Sequence, residues 1–221
     1  MRRSTVWGVI VAGACVLAIA LYANARAGSE ELRGEITPEI RAATLNLASV
    51  APQDQAWIQA AIASARPEAQ RLIAEVDGLV TVRTDLRAAG VPEDAIGVTM
   101  SNGHGADIVL DVNRLNGDRA IDRNMVVLHE LGHVIDFLLV DDDLIHQLDA
   151  GIPASRACGD ALDGAGGCTA VEERFADTFA KWALRGRFSI AGSGYGIPTP
   201  PSLEDWGMPL GALAIRLDMA K

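Results

Sequence analysis

The sequence predicts an α+β fold, because its strand signals are confined to one short stretch that lies between two groups of helices. Helical patterns begin near residue 37, short alternating segments follow between residues 79 and 112, and helical patterns return from residue 122. Of the 221 residues, 49% are hydrophobic and 22% are charged, which is typical of a globular protein with its own core. We therefore expect one domain, which spans residues 28 to 221.

The N-terminal 27 residues have the layout of an export signal. Arg2 and Arg3 precede an uncharged, largely apolar run over residues 6–23, and small residues at positions 23, 25 and 27 then offer cleavage sites. The run also just reaches the length of a membrane-spanning helix, so an uncleaved membrane anchor is a second interpretation. In both cases we expect the domain to be exported, either secreted or anchored to the outer face of the cytoplasmic membrane.

The charge of the chain excludes one class of partner. Lysines and arginines number 19 against 29 aspartates and glutamates, so the net charge is −10 at pH 7. A strongly acidic protein repels the phosphate backbone of DNA and RNA. We therefore expect no nucleic-acid partner.

Two cysteines of the domain are predicted to form a disulfide. Cys158 and Cys168 lie ten residues apart in a glycine-rich segment, while the third cysteine, Cys15, lies in the leader. An even pair in an oxidising compartment favours a disulfide. The alternative is two free thiols or two ligands of a separate metal, although no histidine or third cysteine lies near them in the sequence.

The first helices are predicted from capping residues and prolines. Thr37 can cap a helix, and a stretch rich in alanine and leucine then extends over residues 37–49. A second helix is expected to begin near Asp54, where apolar residues recur at helical spacing. Pro67 either kinks this helix or starts a new one that ends near Gly78.

Three strands are expected after these helices, over residues 79–83, 96–100 and 108–112. The first is rich in β-branched residues and alternates, and the third follows the turn at residues 102–105, which contains two glycines. The second is the weakest of the three signals.

The stretch from Asp122 to Val140 predicts one long central helix. Asp122 can cap it, no proline interrupts it, and apolar side chains cover most of its circumference. A helix of this kind is buried, so its few polar side chains require partners or a ligand. Shorter helices are expected over residues 142–150 and 169–184, and Ser202 is expected to begin a last short helical turn.

The central helix contains the sequence His129-Glu130-Leu131-Gly132-His133. Four residues make just over one helical turn, so both imidazoles project from the same face at a spacing that one Zn²⁺ can bridge. Glu130 is offset by about 100° and can reach a water molecule on the metal without being a ligand. The alternative is a buried helix with two hydrogen-bonded histidines, but a buried carboxylate without metal or partner would cost several kcal/mol.

A third ligand is required, because catalytic Zn²⁺ usually has three protein ligands and a water molecule. Glu173 and Asp177 lie four residues apart on a later helix, so one can bind the metal while the other accepts the free N–H of a ligating histidine. Glu172 has no carboxylate one turn further on, so Glu173 is the predicted ligand. The alternative is a solvated acidic face, against which the neighbouring apolar residues argue.

These two helices resemble the gluzincin branch of the zincin metallopeptidases. The segments 129–136 and 173–180 are most similar to the catalytic domain of anthrax lethal factor and to similar exported bacterial peptidases. The resemblance covers roughly residues 105 to 185 and implies a zincin-like fold. Glu172 stands where thermolysin-type members have asparagine, and the interval between His133 and Glu173 is longer than theirs.

The resemblance also implies roles for individual residues. His129, His133 and Glu173 would bind zinc, Glu130 would be the general base, and Asp177 would orient His129. Members of this branch often stabilise the oxyanion with a tyrosine or histidine. The candidates here are Tyr195, which is the only tyrosine outside the leader, and, less favoured, His104 and His146.

Two further predictions concern the surroundings of the metal. Asp136, three residues after His133, would either support that ligand or form an ion pair on the helix surface. By the same resemblance, residues 107–112 would form an edge strand that holds an extended peptide through main-chain hydrogen bonds.

The sequence therefore predicts an exported zinc peptidase whose partner is a peptide or protein substrate, with a membrane tether through residues 6–23 if the leader is not cleaved. One alternative is a zinc hydrolase that acts on a non-peptide amide by the same chemistry. The other is an inactive binding module that the metal only stabilises, although such a site needs no base and usually closes its fourth position with cysteine or histidine.

Overall fold

The computed structural model describes residues 45–85, 95–118, 120–154, 170–188 and 196–220, which form seven helices and three strands. The helices are α1 (Pro52–Ser64), α2 (Pro67–Glu75), α3 (Val112–Gly117), α4 (Arg123–Leu139), α5 (Asp142–Ala150), α6 (Val171–Ala183) and α7 (Leu203–Met219). The strands are β1 (Val80–Arg83), β2 (Gly97–Ser101) and β3 (Ala106–Leu110). The predicted α+β class is confirmed. None of the helices in these ranges is both long and apolar enough to cross a membrane.

The three strands form one mixed sheet in the order β1-β3-β2. β3 is parallel to β1 and antiparallel to β2, and all five of its residues are buried. The prediction that residues 107–112 form an edge strand is therefore wrong, because this segment has a neighbour on each side. It also ends at Leu110, since the Asp111 side chain accepts a hydrogen bond from the Arg114 amide and caps α3. Within the described residues, β2 is the strand that is paired on one side only.

A helix was predicted over residues 37–49. Residues 45–49 are not helical, and residues 37–44 lie outside the described residues. Asn46 instead forms a β-bridge with Thr81 of β1. The Asn46 amide donates to the Val80 carbonyl, and the Val82 amide donates to the Asn46 carbonyl, both at 2.9 Å. Pairing with the sheet thus overrides the weak helical preference of the alanines and leucines.

The long central helix of the sequence prediction is α4. The Asp122 side chain caps it by accepting hydrogen bonds from the Asn124 and Met125 amides. Twelve of its 17 residues are buried, and it packs against α1, α6 and the sheet. Among these contacts, the one with α6 is the most extensive and the one that positions the candidate site.

A glycine allows α4 and α6 to approach closely. A Cβ atom on Gly132 would lie 2.9 Å from the Ala176 Cα, so any larger residue would separate the two helices. Gly132 lies between His129 and His133 in the sequence, and Ala176 lies three residues after Glu173. The close approach therefore sits at the same level as the predicted metal ligands.

The remaining helices differ from the predictions mainly in their ends. Pro67 starts a new helix, because Arg66 has an extended backbone and its amide donates to the Ala183 carbonyl at the end of α6. The helix over residues 142–150 is confirmed. The last element is longer than predicted: Ser202 caps a 17-residue helix, which tolerates Pro209 while its buried face packs against the rest of the domain.

Candidate metal centre

The two histidines of the central helix face each other. The Nε2 atoms of His129 and His133 are 3.2 Å apart, and the two rings meet edge to face with centroids 4.8 Å apart. Both side chains are almost completely shielded from solvent, at 12% and 9% exposure. The spacing of four residues on α4 thus places two imidazole nitrogens at one point, as the sequence predicts.

Glu173 on α6 brings a carboxylate to the same point. Its Oε2 atom lies 3.2 Å from His129 Nε2 and 3.6 Å from His133 Nε2, and its side chain is 14% exposed. His129, His133 and Glu173 form the one group among the described residues that could hold a metal ion with three or more histidine, cysteine or acidic ligands. Glu172 does not belong to this group, in agreement with the helical register of the sequence prediction.

The three ligand atoms have the spacing of a metal site. Tetrahedral zinc with bonds of 2.0 to 2.2 Å to nitrogen and oxygen separates its ligand atoms by about 3.3 to 3.6 Å. The three observed separations, 3.2, 3.2 and 3.6 Å, are close to that range. Nitrogen and oxygen ligands at this distance suit several divalent first-row metals, so the donor set alone does not name the ion.

The site is charged even without a metal. Burial lowers the pKa of His133, but the neighbouring Glu173 carboxylate outweighs it and raises the pKa to about 9. Burial also acts to raise the pKa of Glu173, but the charge of His133 outweighs it and lowers the pKa well below its usual range. An imidazolium and a carboxylate therefore pair in the metal-free protein, and a cation would replace the proton between them.

Glu130 lies beside this group and outside it. Its side chain is 5% exposed, and its Oε2 atom accepts a hydrogen bond of 2.8 Å from the Thr99 hydroxyl on β2. Burial raises its pKa, while the nearby histidines act in the opposite direction. The structure thus places a buried carboxylate next to the candidate ligands, as a general base requires.

Thr99 is a site residue that sequence reasoning missed. The strand that carries it was predicted only weakly, and nothing in the sequence links it to a residue 31 positions later. The contact exists because β2 packs across the face of α4.

Asp177 lies one turn after Glu173 and is 1% exposed. Its Oδ2 atom is 2.5 Å from the ammonium nitrogen of Lys181, which is itself 2% exposed. Burial raises the pKa of Asp177, against the effect of Lys181 and of the charge of His129. Asp177 thus lies within electrostatic reach of His129, and its predicted hydrogen bond to that ring stays a prediction.

Lys181 is the second residue that the sequence analysis missed. Its ammonium group also donates to the Ile197 carbonyl and lies 5.7 Å from the Phe188 ring centroid. The spacing of four residues from Asp177 is typical of a helical ion pair and could have signalled the contact. Its complete burial could not have been foreseen from the sequence.

Asp136 and Glu172 surround the site with further negative charge. Asp136 is fully buried, and its charge is one of those that raise the pKa of His133. Burial also raises the pKa of Glu172. Within the described part of the chain, His133 Nδ1 is buried without a hydrogen-bond partner, so the supporting role of Asp136 stays a prediction.

His104 and His146 do not belong to the group. His104 lies exposed in the turn before β3, and His146 lies exposed on α5. Tyr195, Cys158 and Cys168 lie outside the described residues, as does the leader over residues 1–27.

Comparison of the chain with models of known protein families, with curated proteins and with solved structures finds no match.

Proposed function

We propose that the protein is a zinc-dependent peptidase in which His129, His133 and Glu173 hold the metal and Glu130 is the general base. The observation that carries this proposal is the triangle of two imidazole nitrogens and one carboxylate oxygen, with a buried carboxylate directly beside it. Three protein ligands leave a fourth position for water or substrate, which is typical of catalytic zinc sites.

Each residue of the site has a task in peptide hydrolysis. Bound zinc would lower the pKa of a water molecule and polarise the scissile carbonyl. Glu130 would take a proton from that water and pass it to the leaving amine. Its Oε2 atom accepts a hydrogen bond from the Thr99 hydroxyl, so Oε1 is the oxygen that we propose would carry the proton.

The sheet offers a place for an extended substrate. β2 is paired on one side only within the described residues, and its five residues are half-buried. It packs against α4 at the level of Glu130, so a peptide added as a further strand would lie beside the base. β2 thus replaces residues 107–112 as the proposed peptide-binding strand.

The placement of Glu130 favours an enzyme over a binding module that zinc merely stabilises. A structural zinc site gains nothing from a carboxylate that is buried next to the metal and is not a ligand. The leader favours an exported enzyme, and a non-peptide amide would be hydrolysed by the same groups.

The test is to replace the base and keep the ligands. Purified full-length protein is loaded with zinc, and its cleavage of a peptide library is compared with that of Glu130→Gln. We expect cleavage by the wild type and a loss of about 10²- to 10⁴-fold in the variant, with zinc content unchanged. Exposed His146→Ala is the matched control and should cleave like the wild type.

Three outcomes would contradict the proposal. Loss of zinc in Glu130→Gln would make that residue a ligand. Equal cleavage by the wild type and the variant would remove it as the base. A zinc-loaded wild type that cleaves small amides and no peptide would favour the non-peptide hydrolase.

A further inference from the structure

We infer that Thr99 is a positioning residue for Glu130. Gly97 and Thr99 together fix the position of its carboxylate, Thr99 through a hydrogen bond and Gly97 through the space that its missing side chain leaves. The inference rests on the proposed function, because it concerns how the proposed base is aimed. It is carried by two separate observations, one for each carboxylate oxygen.

The first observation is a hydrogen bond that fixes Oε2. The Thr99 Oγ1 atom lies 2.8 Å from Glu130 Oε2 and 3.1 Å from the backbone carbonyl oxygen of the same residue. A hydroxyl has one proton, and a carboxylate is a stronger acceptor than a neutral carbonyl. One side chain on β2 therefore contacts both the backbone and the tip of Glu130 and restricts the rotamers between them.

The second observation is the space next to Oε1. Gly97 and Thr99 are two residues apart on β2, so they face the same side of the strand. A Cβ atom on Gly97 would lie 2.5 Å from Glu130 Oε1 and 2.9 Å from the carboxylate carbon. Only glycine leaves room for the carboxylate in its present position.

The two contacts give the two carboxylate oxygens of Glu130 different surroundings. Oε2 accepts the hydrogen bond from the Thr99 hydroxyl, and Oε1 lies next to Gly97, which has no side chain to displace it. Glutamate has several rotatable bonds, so without the hydroxyl the carboxylate can leave its present position near the two histidines. A displacement of about 1 Å is enough to cost on the order of 100-fold in rate.

The experiment uses three threonine variants of the zinc-loaded full chain. Thr99→Val keeps the shape of the side chain and removes its hydroxyl, Thr99→Ser keeps the hydroxyl, and Thr81→Val is the control on β1. Thr81 is half-buried like Thr99 and lies on the strand at the other side of β3.

We expect Thr99→Val to lower kcat by about 10- to 100-fold while KM and zinc affinity stay at wild-type values. Thr99→Ser should recover most of kcat, and Thr81→Val should match the wild type. Gly97→Ala should lower kcat although Thr99 is still present, because the added methyl group displaces Oε1. Wild-type kcat in Thr99→Val, or a loss that serine does not recover, would overturn the inference.

A second readout does not depend on activity. In the metal-free protein, the shift in urea midpoint caused by Thr99→Val is measured in the wild-type background and in the Glu130→Ala background. We expect a larger shift in the wild-type background, because only there does Thr99→Val remove the hydrogen bond from the hydroxyl to the Glu130 carboxylate. Equal shifts would overturn the inference. If the wild type cleaves no peptide, the proposed function fails, and this coupling alone decides whether Thr99 holds Glu130.

Discussion

Two clusters of buried charge lie one turn apart on α6, and they differ in how their charge is balanced. The first is Glu173 with His129 and His133, whose ligand atoms converge within 3.6 Å of one another. The second is Asp177 with Lys181, an ion pair of 2.5 Å whose ammonium group also donates to the Ile197 carbonyl.

The difference separates a structural cluster from a candidate metal-binding one. The Asp177–Lys181 pair carries one charge of each sign, so its charge is balanced without a ligand. In the other cluster, three electron-pair donors converge on one point, and without a metal a proton on His133 balances the charge of Glu173. A divalent cation would satisfy all three donors at once, so this cluster is the candidate site although the Asp177–Lys181 pair is the more deeply buried of the two.

The largest expected effect comes from removing a ligand. Glu173→Ala should weaken zinc binding by about 100- to 10,000-fold, because one of three ligands carries a substantial share of a binding free energy of about 10 to 16 kcal/mol. Equilibrium zinc competition measures it. Glu172→Ala is the matched control, since it removes the neighbouring carboxylate and should bind zinc like the wild type. Weaker zinc binding by Glu172→Ala than by Glu173→Ala would contradict the register of α6.

Breaking the Asp177–Lys181 ion pair should instead lower the free energy of unfolding. Lys181→Met leaves Asp177 buried without its cation, which typically costs about 3 to 5 kcal/mol in the free energy of unfolding. Urea denaturation measures this loss. The double variant Lys181→Met with Asp177→Leu should recover much of it, because an apolar pair leaves no buried charge. A loss below about 1 kcal/mol in the single variant would mean that the pair does not stabilise the fold.

The pH dependence of stability should distinguish the metal-free from the zinc-loaded protein. The folded pKa of His133 is about 9, above the usual value of 6.5, so its contribution is complete below pH 6.5 and is lost as pH rises through 9. Metal-free protein should lose up to about 3 kcal/mol across this window. Zinc keeps His133 unprotonated, so the loaded protein should lack this decline.

Unfolding of both forms between pH 6.5 and 9 checks this prediction. Metal-free Glu173→Gln is the control, because it removes the carboxylate that raises the pKa of His133 most, so the decline should be smaller. A decline of the same size in that variant would assign the pH dependence to other groups.

The smallest effect concerns the link between the two clusters. If Asp177 accepts the N–H of His129 that faces away from the metal, Asp177→Asn should weaken zinc binding by about 10- to 100-fold. Zinc competition on the folded variant measures it, with urea denaturation beside it to record any loss of stability. Unchanged zinc affinity would show that Asp177 pairs with Lys181 and does not support His129 as a ligand.

The candidate ligands were predictable because their spacing lies within single helices. His129 and His133 share a face of α4 whatever the rest of the chain does, and the register of α6 separates Glu173 from Glu172. The α+β class was predictable for a similar reason, since the strand signals lie together in the sequence. The ends of the helices and the edge strand were harder to predict, because they depend on contacts between segments that are distant in the sequence.

The sequence by itself determined which residues could bind a metal, because helical periodicity is a local property of the chain. Only the tertiary structure decided that Thr99 donates to Glu130, that Lys181 is buried against Asp177, and that, among the described strands, β3 lies inside the sheet and β2 at its edge. These contacts join residues on different elements or depend on what covers a helix face. They follow from packing such as the close approach of Gly132 to Ala176, which no pattern within one element records.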